Sequence, residues 1–169
     1  LGITINPELV YPNQRLIAVI KPLKRLLKPE CSALQNFEAL LALTNIAQVS
    51  DAARTHILND NGFSLIEALM FEEHEMIRRA AVQCVVNLIR DPHAIALYEG
   101  QNDRVKYLVI LCQTEDLETV KAASGALARL CQVSEKACER IFNAKEWQEI
   151  LLMLLSNENM ELVHRAAVI

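Results

Sequence analysis

Leu41-Ala-Leu-Thr-Asn45-Ile-Ala47, Gln83-Cys-Val-Val-Asn87-Leu-Ile89 and Gly125-Ala-Leu-Ala-Arg129-Leu-Cys131 repeat one pattern at a spacing of 42 residues. Other positions keep the same period. Leu27, Leu69, Leu111 and Met153 form one series, and Ile66, Leu108 and Ile150 another. The small pair Ala80-Ala81 recurs as Ala122-Ala123 and, slipped by two, as Ala166-Ala167. A repeat near 42 residues, carrying helical rather than strand periodicity, matches the armadillo/HEAT class. One unit alone exposes its apolar face, and stacking neighbours buries it.

Punctuation divides each unit into three helices. Ser50 is a candidate N-cap for a short helix over 51–58. Asn61-Gly62 signals a turn before a second helix over 63–72. A longer third helix over 75–90 stops at Asp91-Pro92. The next unit predicts helices over 92–98, 103–113 and 117–132. The last starts near Ser134, continues over 145–155, turns at 156–159 and is cut inside its third helix. Ahead of these, 13–27 reads as a second helix, kinked by Pro22, and 33–49 as a third. Residues 1–11 carry no clear signal. A short first helix favours armadillo over two-helix HEAT units. The expected fold is therefore all-α, a right-handed armadillo-repeat solenoid of three-helix units. The expected division is 1–49, 50–91, 92–133 and 134–169, with the first and last units incomplete, so the chain reads as part of a longer protein.

Composition agrees. Of 169 residues, 52% are hydrophobic and only 5% aromatic, with four Gly and five Pro, which suits closely packed helices rather than a β-sandwich. The net charge of −4 and the absence of a basic block exclude an electrostatic footprint for nucleic acid. The longest apolar run, 150–155, is too short to span a membrane. Five cysteines at scattered positions, with no CxxC spacing, read as small core residues in a reducing, cytoplasmic compartment.

Enzymatic and metal chemistry find no support. Gly2, Gly62, Gly100 and Gly125 are too dispersed to cradle a phosphate. His56, His74, His93 and His164 lack a second ligand at metal spacing. His74-Glu75 begins like a zinc-protease motif but meets Arg78 where the second His belongs, so 72–75 reads as a solvated turn. No cofactor is expected.

The long third helices carry two stripes. Ala39, Leu40, Leu43 and Ile46, then Ala81, Val82, Val85 and Leu88, then Ala123, Ser124, Leu127 and Leu130 are apolar or small, and should face the core. Beside them, Phe37, Leu41 and Asn45, then Arg79, Gln83 and Asn87, then Lys121, Gly125 and Arg129 share the other face at i, i+4 and i+8. In such a fold the third helices line the concave side, which makes this row the candidate groove. An Asn offers both donor and acceptor atoms, so Asn45 and Asn87 suit the backbone of an extended client. The alternative is that they satisfy nearby backbone groups of their own layers. Phe37 and Leu41 supply an apolar patch, or simply pack against the first unit. Arg79, Lys121 and Arg129 give the other end a positive character, which predicts a client segment rich in carboxylates.

The segment Phe37-Glu-Ala-Leu-Leu-Ala-Leu-Thr-Asn-Ile-Ala47 resembles the third-helix motif of the UCS-domain myosin chaperones. The likeness continues through Met70-Phe-Glu-Glu-His74, Asn102-Asp-Arg104, Leu108-Val-Ile-Leu-Cys112, Ala122-Ala-Ser-Gly-Ala-Leu127 and His164-Arg165. It covers most of the chain from about residue 30. The resemblance implies armadillo repeats that hold myosin motor domains during folding and assembly. It also implies recruitment of Hsp90 through a TPR module that this stretch lacks, and a client groove along the third helices. It carries over best onto Asn45 and Asn87, whereas Arg129 stands where Asn is expected. The rival family, the importin and catenin adaptors, places Trp four residues before the Asn. Here those positions are Leu41, Gln83 and Gly125, and the single Trp, Trp147, lies in a second helix. An adaptor for a short linear motif is the alternative function.

Overall fold

The structure, a computed structural model, describes residues 13–169. Residues 1–12 lie outside the described part, so the expectation for the start of the first unit is not addressed there. The described residues are helical throughout, joined by turns, with no strand among them. Helices α1 (Asn13–Arg25), α2 (Ala33–Val49), α3 (Asp51–Leu58), α4 (Gly62–Leu69) and α5 (Glu75–Leu88) precede the Asp91-Pro92 step. After it come α6 (Pro92–Glu99), α7 (Arg104–Leu111), α8 (Leu117–Val133), α9 (Glu135–Phe142), α10 (Trp147–Leu155) and α11 (Met160–Val168). The chain falls into two compact units, divided between Asp91 and Pro92.

Local chemistry places the helix starts. Ser32 opens α2 with a capping box: its hydroxyl accepts from Gln35 N, and Gln35 Oε1 accepts from Ser32 N at 2.9 Å. Ser50 caps α3, Asp116 caps α8, Ser134 caps α9 and Asn159 caps α11, each through its side chain. α1 runs through Pro22 and ends at Arg25, two residues short of the expected Leu27. Between α3 and α4 the left-handed residues are Asp60 (φ 52°) and Asn61 (φ 61°), not the glycine after them.

In the first unit, α2 packs against α5, with α1, α3 and α4 around them. Leu40, Leu43, Ile46, Ile57, Ile66, Val85 and Leu88 are fully enclosed. In the second unit α8 packs against α7, α9 and α11 over Leu108, Leu127, Leu130, Ile141 and Leu154. Trp147 is 1% exposed and meets the half-exposed Phe142 edge to face, with ring centroids 6.4 Å apart.

The cysteine expectation needs correcting. Cys84 and Cys112 are buried core thiols, but Cys31, Cys131 and Cys138 are only partly covered. No described helix is long and apolar enough to cross a membrane. The described residues hold no group of three or more His, Cys, Asp or Glu side chains able to share a metal ion.

Candidate functional site

All twelve residues of the apolar third-helix stripe, from Ala39 to Leu130, have zero exposure. The adjoining row behaves differently. Phe37, Leu41, Asn45, Arg79, Gln83, Asn87, Lys121 and Gly125 are each partly exposed, and Arg129 is exposed. On each of α2, α5 and α8, taken by itself, one face is thus sealed and the neighbouring face is half-open.

In the first unit, α2 and α5 are cross-tied where this row runs. Asn87 donates from Nδ2 to the Thr44 carbonyl at 3.0 Å, and Arg90 donates to the Gln48 carbonyl at 3.2 Å. The second bond satisfies one of the carbonyls that the end of α2 leaves without a helical partner. Asn87 therefore does structural work, as the alternative reading supposed. It keeps its Oδ1 unengaged among the described residues. Gln83, one turn earlier and half-exposed, makes no side-chain hydrogen bond among them.

The positive character expected of Arg79, Lys121 and Arg129 is moderated by carboxylates within each unit. Arg79 is paired with Glu75 at 2.8 Å, one turn earlier on α5. Lys121 is held by Glu118 at 2.8 Å and Glu161 at 3.6 Å, and its pKa is raised chiefly by the hydrogen bond to Glu118. Glu75 and Glu118 come from the cation's own helix, at the i, i+4 and i, i+3 spacings that bring side chains together, whereas Glu161 reaches Lys121 from α11. Arg129 alone of the three cations has no ion pair among the described residues.

A residue that sequence reasoning missed lies beside Gly125. Arg165 of α11 donates to the Lys121 carbonyl and pairs with Glu161. A Cβ on Gly125 would meet the Arg165 guanidinium at 3.3 Å. Glycine in mid-helix costs about 1 kcal/mol relative to Ala, and its presence signals a close approach. Here the approach is that of the arginine. Glu118, Lys121, Glu161 and Arg165 form an alternating charge cluster over this part of the row.

No family model matches the chain. The chain is similar to "Protein unc-45 homolog B" of Xenopus laevis, 40% identical over 97% of this chain and 18% of that protein. Among solved structures it is similar to UNC-45 from Drosophila melanogaster, with a TM-score of 0.94 and 46% identity over 99% of this chain and 21% of that one. It is also similar to the myosin chaperone UNC-45 from C. elegans, solved with an Hsp90 peptide, with a TM-score of 0.89 and 32% identity over 99% of this chain and 19% of that one. A designed armadillo repeat protein shares the fold, with a TM-score of 0.84 over 98% of this chain, at 22% identity and 68% coverage of that chain. The chain spans 18% of the length of the Xenopus relative. These matches bear out the all-helical armadillo fold and the resemblance to UCS-domain myosin chaperones.

Proposed function

We propose that this stretch of UNC-45-like armadillo repeats is a client-holding segment of a myosin chaperone. The half-open row beside a fully sealed stripe is the observation that carries the reading. A holding surface needs polar groups that are reachable and still have hydrogen-bonding capacity to offer, and Gln83 and the Asn87 Oδ1 meet that need. Such a surface protects a motor domain by covering apolar segments and offering backbone partners, without nucleotide or metal. The segment acts as a binding module rather than an enzyme and works in the cytoplasm. The parent protein reaches Hsp90 through a different part of its chain. The four-unit division at 49/50, 91/92 and 133/134 remains part of this proposal.

Heat-induced aggregation of a myosin motor domain, followed by light scattering, tests the role. Scattering should fall when the parent protein is added, and fall less when Gln83 and Asn87 are both Ala. No protection by the parent protein removes the chaperone reading. One tight consensus in a peptide array, in its place, identifies a linear-motif adaptor.

The charge of the row makes a second prediction. Arg79→Glu with Lys121→Glu places carboxylates beside Glu75, Glu118 and Glu161. Client affinity should drop about tenfold at low salt, and its salt dependence should flatten. Affinity unchanged in the double variant rules out electrostatic capture at these positions.

A further inference from the structure

In the second unit two thiols stand side by side. Cys131 lies near the end of α8 and Cys138 near the start of α9, on either side of Ser134, which caps the second helix. Leu127, Leu130, Ser134, Ala137 and Ile141 are buried along this path at intervals of three or four residues. They form the seam where α8 meets α9. Cys131 and Cys138 each follow a seam residue by one position, and each is half-exposed. This register puts both thiols at one edge of the seam, where Cys138 stands near enough to Cys131 to help raise its pKa.

We propose that Cys131 and Cys138 are an oxidisable dithiol whose closure to a disulfide locks α8 to α9. The oxidant is a small disulfide such as oxidised glutathione. The Cys138 sulfur, as thiolate, attacks one sulfur of that disulfide. The S–S bond breaks, one glutathione thiolate leaves, and Cys138 carries a mixed disulfide. Cys131 then loses its proton and attacks the Cys138 sulfur, expelling the second glutathione. Two protein thiols are oxidised to one disulfide, and one glutathione disulfide is reduced to two glutathiones.

The order of attack follows from the surroundings. Burial, aided by the neighbouring Cys138, pushes the Cys131 thiol up to about 12, so it stays protonated and is a poor first nucleophile. Once Cys138 is capped, its share of that rise is gone, and the second step is intramolecular, with a high effective concentration. Burial also pushes Cys84 and Cys112 up to about 12, and their full enclosure closes them to the reagent.

The test is to equilibrate the folded chain in glutathione buffers, block free thiols, digest without reductant and map by mass spectrometry. The expected product is the Cys131–Cys138 peptide pair lacking two hydrogens, with Cys84 and Cys112 blocked only after denaturation. Cys131→Ser should trap the glutathione adduct on Cys138, and Cys138→Ser should leave Cys131 far less modified than Cys138 is in the first variant. Oxidation should raise the Tm of the wild-type chain by a few degrees. Two free thiols under conditions that oxidise exposed dithiols, or glutathione adducts with no internal disulfide, overturn the proposal.

Discussion

Raising the pH from 9 to 11 is expected to cost this chain about 4 kcal/mol of folding stability. Cys84 and Cys112 are buried thiols whose pKa values are pushed from 9.0 up to about 12 by desolvation of the charged form. The Thr44 hydroxyl acts in the opposite direction at Cys84, but burial outweighs it. Between these values the unfolded chain binds fewer protons than the folded one, so stability falls as pH rises. The contribution is fully present below pH 9.0 and is lost progressively toward pH 12. Each thiol costs about 1 kcal/mol per pH unit in that window, so the pair removes about 2 kcal/mol per unit. A domain has about 5–15 kcal/mol in total, which makes the loss decisive. Lys24 works the other way. Burial is the main cause lowering its pKa, so it adds stability as pH climbs toward 10.5 and offsets part of the loss. Urea midpoints at pH 8, 9, 10 and 11 measure the effect. The Cys84→Ala, Cys112→Ala double variant should have a flatter profile than wild type. Parallel profiles show that other groups drive the alkaline loss.

Gly62→Ala is expected to destabilise the first unit by about 3 kcal/mol, despite two effects that favour alanine. Alanine is the better helix former by about 1 kcal/mol, and it reduces the entropy of the unfolded chain. Against these stands geometry. A Cβ at this first residue of α4 would lie 1.7 Å from the Ile57 carbonyl oxygen and 2.8 Å from Lys24 Cδ. Neither neighbour yields easily. The Ile57 oxygen belongs to the backbone at the end of α3. Lys24 crosses Gly62 to donate to the Asn59 carbonyl at 2.6 Å and the His56 carbonyl at 3.3 Å, satisfying the end of that helix. Overpacking against backbone costs more than the two gains return. Melting followed by circular dichroism should place Gly62→Ala about 10 °C below wild type. Gly125→Ala is the control, because its Cβ meets only the movable end of Arg165, and it should stay within a few degrees. A Gly62→Ala variant that melts with wild type contradicts the packing described at this turn.

The fold was legible because its period is written in core residues. The stripe from Ala39 to Leu130 predicts which side of each third helix is sealed, and all twelve positions are sealed. Second helices are shorter than their apolar pattern suggests. Met70 and Cys112 are buried but lie beyond the ends of α4 and α7, so the hydrophobic period runs on into the turn. Gly62 marks a turn in the sequence, but its role is close approach to Ile57 rather than positive φ.

The candidate site was only partly legible. The Glu75–Arg79 and Glu118–Lys121 pairs follow directly from helical spacing, and they moderate the positive character assigned to the row. The Asn87 bond to Thr44 and the reach of Arg165 to Lys121 join residues 43 and 44 positions apart. Such contacts depend on how layers register against each other, which a single helix face does not encode.

The most direct test of the holding surface is a photo-crosslinking side chain placed at Gln83, in the row, or at Ser64, an exposed residue of α4. Each parent variant is illuminated with a heat-stressed myosin motor domain, and adducts are mapped by mass spectrometry. Gln83 is expected to capture motor-domain peptides and Ser64 to capture few or none. Abundant adducts from Ser64 and none from Gln83, with protection against aggregation intact, contradict a client surface along the third helices.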